Sequence, residues 1–207
     1  MIYNLDILNK EGNILDNWRS QVKMSASYTC GYCGLRVNSE KGLNIDDSTR
    51  WEHYLDNNYG VYICTNCKLP TFIYGDIQVP GNEFGNSVSN VPEEVNNVYE
   101  EARKSFSVGA YSGVILLARK LIMHVAVSFK AEEGKTFAYY VQYLSDNNYI
   151  SVRSNGWIDE IRKMGNQSNH EIEINTKDDA EKIIKFCEML LKTNYEYPAM
   201  IDDASIN

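Results

Sequence analysis

Four of the five cysteines stand in two Cys-x-x-Cys pairs, Cys30 and Cys33 in TCGYCG and Cys64 and Cys67 in YICTNCK. A Cys-x-x-Cys turn delivers two thiolates from one knuckle, and two knuckles supply the four that tetrahedral Zn2+ takes at about 2.3 Å. Gly34, directly after the first pair, suits the tight bend of such a knuckle; Lys68 holds the equivalent place after the second. Thirty residues separate Cys33 from Cys64, more than the usual 15–20, so Asn38 to Tyr59 is expected to loop out as an insertion. Two reduced dithiol pairs, or one redox pair, are the alternative to structural Zn2+. With four thiols present no position is left for water, which disfavours catalysis at the metal. His53, inside the insertion, reads as a surface histidine rather than a ligand. Cys187 falls on an apolar helical stripe and reads as a small core residue.

A second constellation lies in IRKMGNQSNH, where Arg162, Asn166 and His170 recur every fourth residue. On a continuous helix they form one polar stripe opposite Trp157, Ile158, Ile161 and Met164. Histidine exchanges protons near neutral pH and arginine holds phosphate oxygens, a combination suited to phosphodiester chemistry at a 2′-hydroxyl. The same residues near a helix C-terminus also suit capping and dipole compensation, and the pattern by itself leaves both readings open. Arg119, midway along an apolar helix, calls for a partner: an internal carboxylate such as Glu100, Glu101 or Glu160, or a bound anion beside the stripe. His124, one turn further on, reads as partly buried structure.

These residues need two kinds of scaffold. Around the cysteines, VYICTNC and LPTFIYGDIQV are short β-branched and aromatic runs punctuated by Pro and Gly, so a small strand-built domain is expected over residues 1–81, with an N-terminal extension. A region of that size needs a staple. GNEFGNSVSNVP has linker composition, placing a boundary at 82–92. Beyond it the periodicity is helical. Pro92, Glu93 and Glu94 start a helix over about 93–107, with Val95, Val98, Tyr99, Ala102 and Phe106 as its apolar stripe. AYSGVILLARKLIMHVAVSFK follows as a central helix, KTFAYYVQYLSDNN as a shorter one, the IRKMGNQSNH region as a fourth and the stretch from Lys177 as a fifth. The all-helical part spans 93–198, and residues 199–207 are expected as a flexible tail. The fold class is α+β, a zinc-ribbon-like β domain followed by an all-α bundle.

The chain has 207 residues, with 20 Lys+Arg against 28 Asp+Glu for a net charge of −8. Residues 1–90 carry −3 and 91–207 carry −5, so neither half is a basic nucleic-acid arm. No window approaches the ~20 apolar residues of a spanning helix, since Val114 to Phe129 is interrupted by Arg119, Lys120 and His124. No membrane association is expected, and five cysteines without a secretory leader point to a reducing, cytoplasmic setting.

The helical half, Val91 to about Pro198, resembles the bacterial domain of unknown function numbered 4145 on the stretches GAYSGVILLARKL (Gly109 to Leu121) and IRKMGNQSNH (Ile161 to His170). Members occur alone, behind zinc ribbons and attached to type I restriction subunits. That domain is similar in turn to the HEPN superfamily of helical bundles, many of them metal-independent ribonucleases that pair an Arg, a polar residue and a His across a dimer. The resemblance therefore implies a HEPN-like bundle, a homodimer, a restriction or phage-defence context, and His170 and Asn166 as matches to the motif. Gly165 stands where the motif has Arg. Arg162 is the nearby substitute, and one turn of displacement moves a guanidinium about 5–6 Å. The first expectation is accordingly a non-enzymatic, zinc-stabilised binding module for a protein or a specific RNA or DNA. The second is a homodimeric ribonuclease using His170 with Arg162 or Arg119.

Overall fold

The structure, a computed structural model, describes residues 26–44, 59–151, 155–166 and 175–204. The expected N-terminal extension up to residue 25, His53, His170 and residues 205–207 of the expected tail lie outside these. The chain divides into two compact units between Glu83 and Phe84, and the class is α+β, antiparallel sheets preceding helices.

In the first unit β1 (Ala26–Thr29) pairs antiparallel with β2 (Arg36–Ser39), Ala26 opposite Ser39 and Thr29 opposite Arg36. A four-stranded antiparallel sheet follows in sequence order: β3 (Gly42–Asn44), β4 (Tyr59–Ile63), β5 (Pro70–Tyr74) and β6 (Ile77–Val79). Residues Asn38 to Asn44, expected to open a looped insertion, instead complete β2 and form β3; the remainder, 45–58, lies outside the described residues. The physical reason is pairing: Leu43 sits opposite Val61, and Gly42 can lie against Tyr62 because its missing side chain leaves room for the Val61 carbonyl. Ser39 Oγ donates to the Ile63 carbonyl at 2.5 Å and Ile63 N–H to the Lys41 carbonyl at 2.8 Å, which ties the hairpin to the sheet. The buried core is small: Ala26, Tyr28, Cys30, Val37, Tyr62, Cys64 and Ile73.

The second unit holds α1 (Glu93–Ser107), α2 (Tyr111–Ser128), α3 (Phe137–Asp146), α4 (Asn155–Asn166) and α5 (Lys177–Leu191). The starts follow local chemistry. Glu93 and Glu94 occupy the first turn of α1, Thr136 Oγ1 accepts from Tyr139 N–H at α3, and Thr176 with Asp179 forms a reciprocal capping box at α5. Helix α2 packs against α1, α3 and α5, burying Val114, Ile115, Ala118, Leu121, Ile122, Val125 and Ala126. By length and composition α2 is apolar enough to cross a membrane, the one such helix among the described residues, which corrects the expectation that no window comes close. Eighteen residues at 1.5 Å each reach about 27 Å, and core positions of a bundle select the same residue types. The expected flexible tail is also corrected: a π turn (Lys192–Glu196) leads into α6 (Tyr197–Ala204), where Pro198 sits in the first turn and needs no N–H partner.

Phe84 to Val91, expected as linker, is bound into the helical unit. Arg103 donates through Nε to the Phe84 carbonyl and through Nη2 to that of Gly85, at 3.2 and 3.0 Å, while its Nη1 pairs with Glu100 at 2.6 Å. Tyr99 Oη donates to the Asn86 carbonyl at 2.9 Å, and Val88 is buried. Asn86 in turn donates to Glu188 of α5 through Nδ2 at 2.8 Å and through its backbone N–H at 3.3 Å. Lys185 and Lys192 reach the same carboxylate, each at 2.9 Å. Thus a segment with little apolar content is held by two charged groups seated on otherwise apolar helix faces.

Burial alone would push the Glu188 carboxyl up; the hydrogen bonds from Asn86, Lys185 and Lys192 outweigh it and hold the group at about 2. Because this lies below the ordinary 4.5, the carboxylate's contribution is complete above that pH and is lost as pH falls toward 2. Melting curves of Glu188→Gln are expected to show a loss of about 1–3 kcal/mol at neutral pH and a flatter decline than the parent across the acid range. Equal acid slopes in the two proteins would count against the latch.

Candidate metal centre

The first Cys-x-x-Cys turn joins β1 to β2 and the second joins β4 to β5, so the two hairpins bring their tips together. Each knuckle is closed by the same pair of backbone bonds. Cys30 N–H donates to Leu35 O and Gly34 N–H to Cys30 O, at 2.9 and 2.8 Å; Cys64 N–H donates to Leu69 O and Lys68 N–H to Cys64 O, both at 3.0 Å. Gly34 has φ 69° and Lys68 φ 63°, so the lysine adopts the left-handed conformation that glycine takes in the first knuckle. That conformation costs a residue with a Cβ about 1–2 kcal/mol. Lys68 Nζ donates to the Thr65 carbonyl at 2.8 Å, holding the lysine across its own turn.

The four sulfurs lie within 4.8 Å of one another. Cys30 Sγ meets Cys67 Sγ at 3.7 Å and Cys33 Sγ meets Cys64 Sγ at 3.8 Å, contacts that cross from one knuckle to the other. Four sulfurs placed about 2.3 Å from a tetrahedral ion sit ~3.8 Å apart, and the two crossing contacts match that edge, so the set could hold a metal ion. A disulfide needs its sulfurs about 2.05 Å apart, and all four thiols are free. Cys30 and Cys64 are buried, while Cys33 and Cys67 are partly exposed.

Crowding shifts three of the thiols in opposite directions. The hydrogen bond from Cys67 holds Cys30 down at about 5 against the opposing effect of burial, with the Cys33 and Tyr32 backbone N–H groups helping. The same shared proton pushes Cys67 up, and burial raises Cys64. The protons held among the four sulfurs are what a bound cation would displace, which couples metal binding to proton release. Tyr28, packed beside the cluster, donates its hydroxyl to the Tyr62 carbonyl at 3.3 Å and is raised by burial.

Sequence reasoning missed Gly31. A Cβ there would lie 2.3 Å from the Gly81 carbonyl oxygen and 2.4 Å from that of Pro80. Gln78 Nε2 holds this approach by donating to the Thr29 and Pro80 carbonyls at 2.8 and 3.0 Å. The only signal available was a glycine inside a Cys-x-x-Cys pair rather than after it.

Arg162 and Asn166 both fall on α4, but Arg162 Nη1 pairs with Asp159 at 3.3 Å and His170 lies outside the described residues. Arg119 has no ion pair among the described residues. Its guanidinium lies 5.1 Å from the centre of the Phe137 ring, so the expected carboxylate is replaced by an aromatic face. Glu100 is engaged by Arg103 and Glu160 by Lys182. His124 is exposed, not partly buried, and stands 3.5 Å from Glu94. Cys187 is buried, and burial raises its thiol.

Cys30→Ser is expected to abolish stoichiometric metal binding and to remove the lower of two thermal transitions while the helical transition persists; circular dichroism with metal analysis reads both. Gly31→Ala, which leaves every ligand in place, is expected to lower the stability of the β unit by about 1–3 kcal/mol through backbone overlap. An unchanged melting curve for Gly31→Ala would remove the Pro80–Gly81 approach as a constraint.

No curated protein and no solved structure matches this chain. A family described as a domain of unknown function, DUF4145, matches residues 100–205. The match takes in most of α1 and everything from α2 to α6, just over half of the sequence, and the chain belongs to the DUF4145 family.

Proposed function

We propose that this chain is a non-enzymatic binding module in which Zn2+, held by Cys30, Cys33, Cys64 and Cys67, fixes the β unit. In this reading the DUF4145 helices engage a macromolecular partner. The observation that carries it is the four-thiol set itself, whose crossing contacts of 3.7 and 3.8 Å match the edges of a tetrahedron. Four thiolates fill a tetrahedral ion and leave no position for water or substrate, so the metal would hold the fold. Zn2+ suits the site because it has no redox chemistry to oxidise its own ligands. Free thiols throughout fit a reducing compartment, and we place the protein in the cytoplasm.

The resemblance to HEPN-like bundles and restriction-associated proteins supplies the biological setting, restriction or phage defence, and a homodimer through the helices. The partner is a protein or a specific nucleic acid rather than nucleic acid in general, given a net charge of −8.

Two arms test this. Metal analysis of protein prepared without chelator is expected to give one zinc per chain; iron or an empty site would sink the zinc assignment. Incubation with mixed tRNA and single-stranded RNA in EDTA is expected to leave the RNA intact. Cleavage that disappears in His170→Ala would make the protein a ribonuclease working through His170 with Asn166 and Arg162 or Arg119, and would overturn the binding-module reading.

A further inference from the structure

Each crossing contact between the knuckles joins a buried thiol to a partly exposed one. Buried Cys30 meets partly exposed Cys67 at 3.7 Å, and partly exposed Cys33 meets buried Cys64 at 3.8 Å. Together the two contacts use every sulfur of the cluster once. They join residues 37 and 31 positions apart, on the turns of different hairpins, whereas a bond within either Cys-x-x-Cys pair would stay inside one turn. Cys187 takes no part, being buried in the core of the helical unit.

Oxidation of a thiol by a peroxide needs access for the oxidant and, for a reversible outcome, a second thiol beside the first to resolve the sulfenic acid before further oxygen is added. Both crossing pairs supply the two roles. Closing either pair from its present contact to the 2.05 Å of a disulfide takes less than ~2 Å of sulfur travel. The crossing pairing is also the one that serves the fold, because a disulfide that closes a long loop constrains the unfolded chain more than one that closes a single turn. A β unit whose buried apolar cluster is small gains from a link between its hairpins and gains nothing comparable from a link inside each of them.

We propose that the four-thiol set is an oxidation site as well as a metal site: a hydroperoxide converts it into two disulfides, Cys30 to Cys67 and Cys33 to Cys64, which take over the link between the hairpins. The step balances within each pair. The partly exposed sulfur, of Cys33 or Cys67, attacks a peroxide oxygen; an S–O bond forms as the O–O bond breaks, and one water leaves, giving a sulfenic acid. The buried sulfur, of Cys64 or Cys30, then attacks the sulfenic sulfur; the S–S bond forms, the S–O bond breaks and the displaced oxygen leaves as a second water. Each pair of thiols thus gives up two electrons and two protons, and one hydrogen peroxide is reduced to two waters. Thiolate, not disulfide, is the metal ligand, so oxidation exchanges metal binding for covalent links at the same place in the fold. Disulfides of this kind, formed transiently in response to oxidant, are the ones a reducing cytoplasm admits. The proposal rests on the same four thiols as the binding-module reading but not on zinc.

Tryptic mapping of the full chain without reduction, after mild hydrogen peroxide treatment, tests it. Cleavage after Lys23, Arg36, Arg50 and Lys68 leaves Cys30 and Cys33 in one peptide and Cys64 and Cys67 in another. The two peptides are expected to be joined, lighter than their sum by four hydrogens, with fragmentation assigning Cys30 to Cys67 and Cys33 to Cys64. Thiols titrated after denaturation are expected to fall from five to one, Cys187 remaining. Bound metal is expected to be lost with them, and both to return on reduction with added Zn2+. Two separate peptides, each carrying its own internal disulfide, overturn the proposal. So do the order Cys30 to Cys64 with Cys33 to Cys67, links between chains, sulfinic or sulfonic acids in place of disulfides, and five unchanged thiols. Metal analysis before oxidation keeps the two readings apart: protein found empty would sink the zinc assignment, while its disulfide map would still decide this one.

Discussion

The β unit depends on four sulfur atoms meeting between two hairpins. Among the described residues its strands are three to five residues long and its buried apolar cluster holds seven residues, two of them cysteines. Burial of that extent falls short of the conformational entropy of ordering those residues. A metal ion held by the four thiols would supply what the core lacks, because it would join the turn between β1 and β2 to the turn between β4 and β5. The knuckle bonds, the Gly31 approach and the Gln78 hydrogen bonds then act on a frame that already exists. The helical unit rests on a different principle. Its core runs continuously from Val88 to Leu191, and aromatic contacts such as Phe129 on Tyr149 at 4.3 Å and Trp157 edge-on to Phe186 at 5.8 Å extend it outward.

What could be read from the sequence was what local chemistry alone dictates. Cys-x-x-Cys spacing is a property of one turn, so the ligand set stood out even though the second knuckle carries Lys68 where glycine was expected; the backbone adopts φ 63° there regardless. Helical periodicity is equally local: α1 covers Glu93–Ser107, and Val95, Tyr99, Ala102 and Phe106 are buried. Missed were features created by distant pairing. Leu43 and Gly42 become strand residues only opposite Val61 and Tyr62, some twenty positions away. Arg103 and Glu188 were invisible because an apolar stripe is counted by its apolar members, and a charge seated among them looks like an interruption until Phe84, Gly85 and Asn86 arrive to use it. Arg119 shows the converse. A carboxylate was sought because a buried cation needs one, yet the partner is the face of Phe137, which carries no charge to search for.

The polar stripe of α4 bears on how activity should be sought in this family member. Catalytic geometry must hold within about an ångström, and a guanidinium already engaged by Asp159 at 3.3 Å has part of its donor capacity committed within its own helix. The four thiols meet one another across the knuckles, and the backbone of each knuckle closes around its own pair. Of the two constellations that the sequence offers, the four thiols are the one whose members all lie among the described residues, and these are brought together.

Charge and exposed apolar side chains are distributed unevenly along the chain. Residues 91–207 carry −5, and the helical unit keeps acids on exposed positions such as Glu93, Glu94 and Asp178 or pairs them, as at Glu181 and Glu188. Residues 1–90 carry −3, and in the described part of the β unit Leu43, Ile77 and Val79 are exposed. Burial alternates along β5, with Thr71 and Ile73 buried and Tyr74 exposed, as an antiparallel sheet with one face toward its own core requires.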